Sequence, residues 1–196
     1  MPRLSCGRES HRRVSKRLRN ATFEIWITKL SDRNLRVDPL STIHDRSRFD
    51  SRVESLDRYL KAHSGHGDRT HLASCFVLSR ERQKVIGFYT LEATSVSLVD
   101  LPLPMAKKIP GHPLVPAILM ARLAVDYSVR GCGLGRFMLI DALSRALLSQ
   151  KCTYALIVEA NKDASRNFYE VHNFRRLVSS GRQLFLPLAE IAKLFT

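Results

Sequence analysis

Two rhythms of apolar residues divide this chain. Phe49, Val53, Leu56 and Leu60 recur at helical spacing, and Ser51-x-x-Glu54 reads as a capping box at their head. Together they predict an amphipathic helix over residues 49–60. Residues 35–40, 72–78 and 85–91 read instead as strands. The last two are joined by a turn at 80–84 into a β-hairpin, and 96–101 prolongs its second strand. Residues 102–116 break both rhythms. They hold five of the eight prolines (Pro102, Pro104, Pro110, Pro113, Pro116), so a long stiff loop is predicted there and a central strand is not. An apolar strand over 117–126 follows, then a helix to about residue 149 carrying Phe137, Ile140, Leu143 and Leu147. A buried strand over 154–160, a helix over 164–171 and a strand over 183–188 complete the pattern. Antiparallel strands first and β-α-β-α-β afterwards predict a mixed α/β fold around one sheet. Upstream, residues 21–31 are apolar enough for a short strand. Residues 1–34 are read as a basic extension and 35–196 as the domain.

Between the strand over 117–126 and its helix stands the turn Arg130-Gly131-Cys132-Gly133-Leu134-Gly135. Three glycines at alternate positions let the main chain come close to a ligand. The helix that follows aims unpaired N–H groups and the positive end of its dipole at the same spot. Such a turn is suited to a phosphate. The spacing G-x-G-x-G excludes the dinucleotide fingerprint, and Arg136-Phe137 after Gly135 excludes the Gly-Lys-Ser/Thr ending of a P-loop.

Charge and cysteine usage narrow the picture further. The 196 residues carry a formal net charge of +14, which favours polyanionic partners, nucleic acid or the phosphates of a cofactor. Residues 1–20 hold Arg3, Arg8, Arg12, Arg13, Lys16, Arg17 and Arg19 against Glu9 alone, and the rest of the chain is basic without them. No apolar run approaches the ~18 residues of a membrane span. Cys6, Cys75, Cys132 and Cys152 lie far apart and form no C-x-x-C, the usage of reduced thiols in a cytoplasmic protein. His63, His66 and His71 lack a cysteine or carboxylate that would complete a ligand set, so no metal is expected.

The pattern Arg-x-x-Gly-x-Gly resembles the acetyl-CoA pyrophosphate loop of GNAT N-acetyltransferases. With ARLAVDYSVRGCGLG, RFDSRVESLDRYL, Asn167-Phe168-Tyr169-Glu170 followed by Asn173-Phe174, and the closing LFLPL, it is similar to the toxin branch of bacterial type II toxin–antitoxin pairs. The likeness runs from about Leu35 to the C-terminus. It departs at Ser51, where the family often has Cys or Gly, and residues 1–34 have no counterpart.

The resemblance implies a GNAT-like sheet with splayed middle strands flanked by helices. It also implies an enzyme that acetylates the α-amino group of an aminoacyl-tRNA, stopping translation. Backbone groups of Leu123, Ala124 and Val125 would then pair with the pantetheine and face the acetyl carbonyl. The stretch Arg130, Gly131, Cys132, Gly133, Leu134, Gly135 and Arg136 would hold the pyrophosphate. Asn161 would touch the cofactor or cap a helix. An N–H aimed at developing oxyanion charge contributes roughly 3–4 kcal/mol. Tyr169 is the implied acid, since a phenol near pKa ~10 and a thiol near ~8.5 are close to balanced. Tyr127, Tyr89 and Tyr154 are weaker alternatives.

No strong base stands out. An α-amine with pKa near 8 is partly neutral at physiological pH, whereas a lysine amine at ~10.4 is not. An aminoacyl end therefore suits the site better than a protein lysine, although Glu92 and Glu159 keep the lysine option open. Arg122, Lys107, Lys108, Arg175, Arg176 and Arg182 are the residues expected to track tRNA phosphates. A small DNA-binding antitoxin and a homodimer are implied as partners. Two other readings stand beside this one: a GNAT acting on a protein or small-molecule amine, and a non-catalytic basic module that binds nucleic acid.

Overall fold

Alternation along the second predicted strand sets the layering. In β2 (Ala73–Arg80) Cys75 and Val77 turn to one face of the sheet, and Phe76 and Leu78 to the other. The computed structural model describes residues 35–62, 73–81, 83–109, 113–148 and 153–194. The strand expected over 21–31, the basic stretch 1–20, His63, His66, His71, Cys6, Cys152 and Pro110 lie outside them.

β1 (Leu35–Pro39), β2, β3 (Lys84–Ser97) and β4 (Leu114–Met120) pair antiparallel in that order. β6 (Ala155–Glu159) then joins β4 in parallel, and β8 (Gln183–Pro187) and the two-residue β7 (Arg175–Arg176) close the sheet antiparallel. β5 (Leu123–Val125) pairs with β3 alone.

Helix α1 (Glu54–Ala62) covers one face with Phe49, Leu60, Val77, Val85 and Phe88. Helix α3 (Leu134–Leu148) crosses from β5 to β6 over the other face. Its Met138, Leu139, Ala142 and Ala146 are fully buried among Leu78, Ile86, Tyr89, Leu156 and Val158. Helix α4 (Asp163–Glu170) and helix α5 (Leu188–Leu194) complete that layer. The arrangement is the mixed α/β domain expected from the alternation of elements.

Three local readings change. The proline-rich stretch contains a single helical turn, α2 (Leu103–Ala106), and its last proline, Pro116, lies inside central strand β4. The reason is directional. The Pro116 carbonyl accepts from the Tyr154 amide at 2.8 Å, so its nitrogen also faces the β6 side, one residue before β6 pairing begins at Ala117–Ala155. The missing N–H removes no bond to β3. The capping box does not close on Glu54. Ser51 instead gives its amide (2.8 Å) and its hydroxyl (2.6 Å) to Asp57, and helix α1 starts at Glu54. The expected single strand over 117–126 is two strands, broken at Ala121–Arg122.

Gly87 sets how closely α3 lies on β3. A methyl group there would stand 2.7 Å from Met138 Cε, 2.8 Å from Met138 Sδ and 3.2 Å from the Ala124 carbonyl oxygen. Met138 is fully buried, so the end of its side chain must shift against packed neighbours. Gly87→Ala is therefore expected to cost about 1–3 kcal/mol, read as a loss of roughly 2–12 °C in Tm by thermal melting. A melt unchanged within a degree would show that the helix yields there.

Candidate active site

The break in the strand creates the site. Thr90 donates its amide to the Arg122 carbonyl (3.1 Å), and Asp126 donates its amide to the Ile86 carbonyl (2.9 Å). Backbone groups alternate along a strand, so residues 122, 124 and 126 turn theirs to β3, and Leu123 and Val125 turn theirs the opposite way. On that opposite side β6 has already left, because β4–β6 pairing ends at Met120–Val158. An open backbone edge two residues long results. Of the three strand residues expected to meet a ligand, Leu123 and Val125 face the cleft with their backbone, and Ala124 faces β3.

The glycine turn stands at the end of this edge. Gly131 and Gly133 both have φ +76°, a left-handed conformation that only glycine adopts cheaply. Phe137 donates to the Gly133 carbonyl at 3.1 Å, so α3 opens with the amides of Leu134 and Gly135 unpaired within the helix. Gly131, Cys132, Gly133 and Arg136 are exposed. The Arg130 side chain leaves the turn. It donates to the Ser51 carbonyl and stands 5.3 Å over the Tyr127 ring, so that it braces the loop against the start of α1. Asp126 supplies a second brace that the sequence reading missed. It is nearly buried and accepts from Ser128 N (3.0 Å), Ser128 Oγ (2.5 Å) and Asp50 N (3.1 Å). Burial pushes its carboxyl up, but the bonds from Ser128 and Asp50 and the nearby Lys84 carry it below the usual carboxylate range. An Asp two residues ahead of a Ser is a recognisable turn-capping signal.

The three glycines are under different constraints. Nothing lies within 4 Å of a methyl placed on Gly131, so Gly131→Ala meets backbone strain alone, roughly 1 kcal/mol. At Gly135 a methyl would touch Val125 Cγ2 at 3.8 Å and Phe168 Cε2 at 3.9 Å, ordinary contacts inside a helix. Gly135→Ala is expected to raise stability by up to about 1 kcal/mol, while Gly131→Ala lowers it. Paired thermal melts check the opposite signs.

Tyr169 lies on α4 within the apolar cluster that also holds Leu134, with Leu123 and Val125 packed against it. Its ring meets Phe168 edge-on at 5.2 Å and Phe174 at 5.5 Å. Burial pushes its hydroxyl well above the ordinary phenol value. That hydroxyl makes no hydrogen bond to any described residue. The other tyrosines are differently placed. Tyr89 is fully buried and donates to Asp141, which is also paired with Arg145 at 2.8 Å. Tyr127 is exposed between Arg52 and Arg130, and Tyr154 lies immediately before β6.

The basic residues separate into groups. Arg175 pairs with Glu190 at 3.0 Å, and Arg176 with Glu170 at 2.8 Å. Lys107 and Lys108 are exposed beyond α2, whose Met105 sulfur lies 3.8 Å from Arg175 Nη1. Arg182 is exposed, and its carbonyl accepts from Ala160 N at 2.8 Å, which sets it beside Asn161. Asn161 does not cap α4; Lys162 holds that position without a side-chain bond. Arg122 is half-buried at the strand break, 3.8 Å over the Tyr59 ring. Glu92 lines a groove of about 660 Å³ with Phe76, Ile118 and Arg145, which includes no residue of β5 or the glycine turn.

An open strand edge, a helix start with close-approach glycines and a buried phenol that bonds no described residue fit a phosphate-bearing thioester. The acetyltransferase (GNAT) domain family matches residues 71–176. The chain is 35% identical over 137 residues to a tRNA-acetylating toxin of Mycobacterium tuberculosis (strain ATCC 25618 / H37Rv), covering 69% of this chain and 81% of that protein. It is also similar to the solved structure of AtaT complexed with acetyl-methionyl-tRNAfMet. There the TM-score is 0.77 at 29% identity, over 83% of this chain and 99% of that one. A third similar structure is a tyrosine-to-phenylalanine mutant of the AtaT toxin bound to the C-terminus of the antitoxin AtaR and acetyl-CoA. It has a TM-score of 0.69 at 25% identity, over 82% and 97% of the two chains.

Proposed function

The chain belongs to the GNAT acetyltransferase family, and from that premise we propose that it is a toxin acetylating the α-amino group of an aminoacyl-tRNA. The observation that carries the chemistry is the open β5 edge, which runs between the glycine turn and the cluster holding Tyr169. Acetyl-CoA, when bound, supplies an activated acyl thioester. The amides of Leu134 and Gly135, with those of Gly131, Cys132 and Gly133, would hold its pyrophosphate at the positive end of α3. Leu123 and Val125 would align the pantetheine along β5 and offer an N–H to charge developing on the acyl oxygen. As the acceptor nitrogen forms its bond to the acyl carbon and the carbon–sulfur bond breaks, Tyr169 would give its proton to the departing sulfur, and the proton shed by the nitrogen would restore the phenol by way of solvent.

Among the described residues β5 itself carries no carboxylate to strip a proton from a lysine amine; the nearest candidate, Glu92, lies on the Tyr59 side of the strand break. An aminoacyl amine, less basic and partly neutral, needs no such help. The excess of positive charge suits a tRNA. Lys107, Lys108 and Arg182 are exposed and would meet its phosphates, whereas Arg175 and Arg176 already hold carboxylates. We further propose a small DNA-binding antitoxin partner, a homodimer and action in the cytoplasm. Among the described residues no helix is long and apolar enough to cross a membrane. Val99, Leu103, Leu114 and Val178 are exposed on segments bonded to one another (Leu98 N to the Pro113 carbonyl, Val178 N to the Asp100 carbonyl), an apolar patch of the kind partners cover.

The test incubates purified protein with acetyl-CoA and bulk charged tRNA, then identifies released aminoacyl-adenosine by mass spectrometry. An added acetyl group is expected. Its absence in protein that binds acetyl-CoA would direct the search to other amines. Raising salt from 50 to 200 mM is expected to raise KM for charged tRNA at least tenfold, with acetyl-CoA affinity far less affected. A salt-independent KM would remove the phosphate contacts from the account.

A further inference from the structure

Four side chains form a continuous column from the core to the strand break. Phe49 meets Phe88 edge-on at 5.6 Å, Phe88 is stacked with Tyr59 at 6.1 Å and 16°, and the Arg122 guanidinium lies 3.8 Å over Tyr59. The base of this column is rigid, since Phe49 and Phe88 are fully buried. The Arg122 backbone is fixed as well, its carbonyl held by the Thr90 amide where β4 ends and β5 begins. Arg145, Arg175 and Arg176 each hold a carboxylate. Arg122 makes no ion pair with any described residue, and its half-buried guanidinium is the last member of the column. Tyr59 remains neutral, because burial chiefly, with Cys75 and Glu92 nearby, pushes its hydroxyl up against the opposing charge of Arg122.

We propose that Arg122, laid on Tyr59, is a positioning residue on which the unpaired 3′-terminal base of the acceptor stacks. This rests on the aminoacyl-tRNA reading above. The reacting amine is joined through its ester to the ribose of the last nucleotide, so that nucleotide's base must lie within one sugar of the acyl carbon. Arg122 stands at the strand break where that carbon is placed. Guanidinium planes are common stacking partners for unpaired bases, and a planar cation sandwiched between two π faces gains from both. Lysine retains the charge without the plane, and this separates base stacking from a simple phosphate contact.

The experiment measures inhibition of bulk charged-tRNA acetylation by two RNA trinucleotides, CCA and a CC trinucleotide ending in an abasic nucleotide. Wild-type protein, Arg122→Lys and Arg122→Ala are compared, with acetyl-CoA affinity as the check on folding. The wild type is expected to prefer CCA by roughly 5- to 150-fold. Both variants should hold the two trinucleotides about equally while binding acetyl-CoA as before. A wild type indifferent to the base, or an Arg122→Lys variant that still prefers CCA, overturns the proposal. A wild type that acetylates no charged tRNA overturns the functional reading and this inference together, before any variant is compared.

Discussion

Tyr169→Phe is expected to slow acetyl transfer by about 10²- to 10⁴-fold, the range supplied by a positioned proton donor, and to leave acetyl-CoA affinity nearly unchanged. The ring stays where it is, because its contacts to Phe168 and Phe174 need no hydroxyl. The hydroxyl bonds no described residue, so its removal orphans no partner among them and Tm should hold within a few degrees. Burial also fixes the pH behaviour. The active form is the protonated phenol, and its pKa is raised, so Tyr169 should cause no loss of rate below about pH 10. The same shift makes a statement about stability. A group that is neutral and buried when folded stabilises fully below its unfolded pKa of ~10, and that contribution is lost as pH rises beyond it. Single-turnover kinetics on bulk charged tRNA, with calorimetry for acetyl-CoA, separate these effects. A Phe variant within tenfold of wild type would remove Tyr169 as the acid.

The sequence made the site legible where local rules apply. The glycine turn was readable because left-handed backbone demands Gly131 and Gly133, and because a helix start has unpaired amides whatever its tertiary setting. Helix α3 and strand β6 were readable from their apolar runs. The strand break at Ala121–Arg122 was not, since the run from Ala117 to Val125, apolar except for Arg122, contains no glycine or proline to mark it. It follows from which strand leaves first, and pairing is a property of the sheet. Pro116 misled for the same reason: a proline forbids a ladder bond only on the side its nitrogen faces. Charge counting could not show that Arg175 and Arg176 face Glu190 and Glu170, 15 and 6 residues away in sequence. Ser51 was read as a cap closed by Glu54, and it bonds Asp57 instead. Each miss has the same physical form. The residue type was read correctly, and its partner was chosen by tertiary contact.

Asp126→Ala is expected to destabilise the fold by about 3 kcal/mol, the scale of losing charge-assisted bonds and leaving a partly buried amide without a partner. For a chain of this size that is roughly 6–12 °C in Tm. Asp126 Oδ1 holds both Ser128 groups and Oδ2 holds the Asp50 amide, while Tyr127 N donates to the Asp50 carbonyl at 2.8 Å. The carboxylate therefore ties the segment ahead of α1 to the chain entering the glycine turn. Without it that turn should be held less firmly, and acetyl-CoA affinity should fall along with stability. Asp126→Asn separates the two oxygens. An amide can still accept from Ser128, but it presents a second donor to the Asp50 N–H, so an intermediate loss is expected. The pH dependence has a definite sign. The folded carboxyl lies below its unfolded value of ~3.9, so its contribution is complete above that pH and is lost as pH falls through the lower folded value. Wild type and Asp126→Ala should therefore differ most near neutrality and converge below about pH 4. Melting both proteins across that interval decides the matter: a constant gap, or none at pH 7, would mean that Asp126 does not hold the turn through its charge.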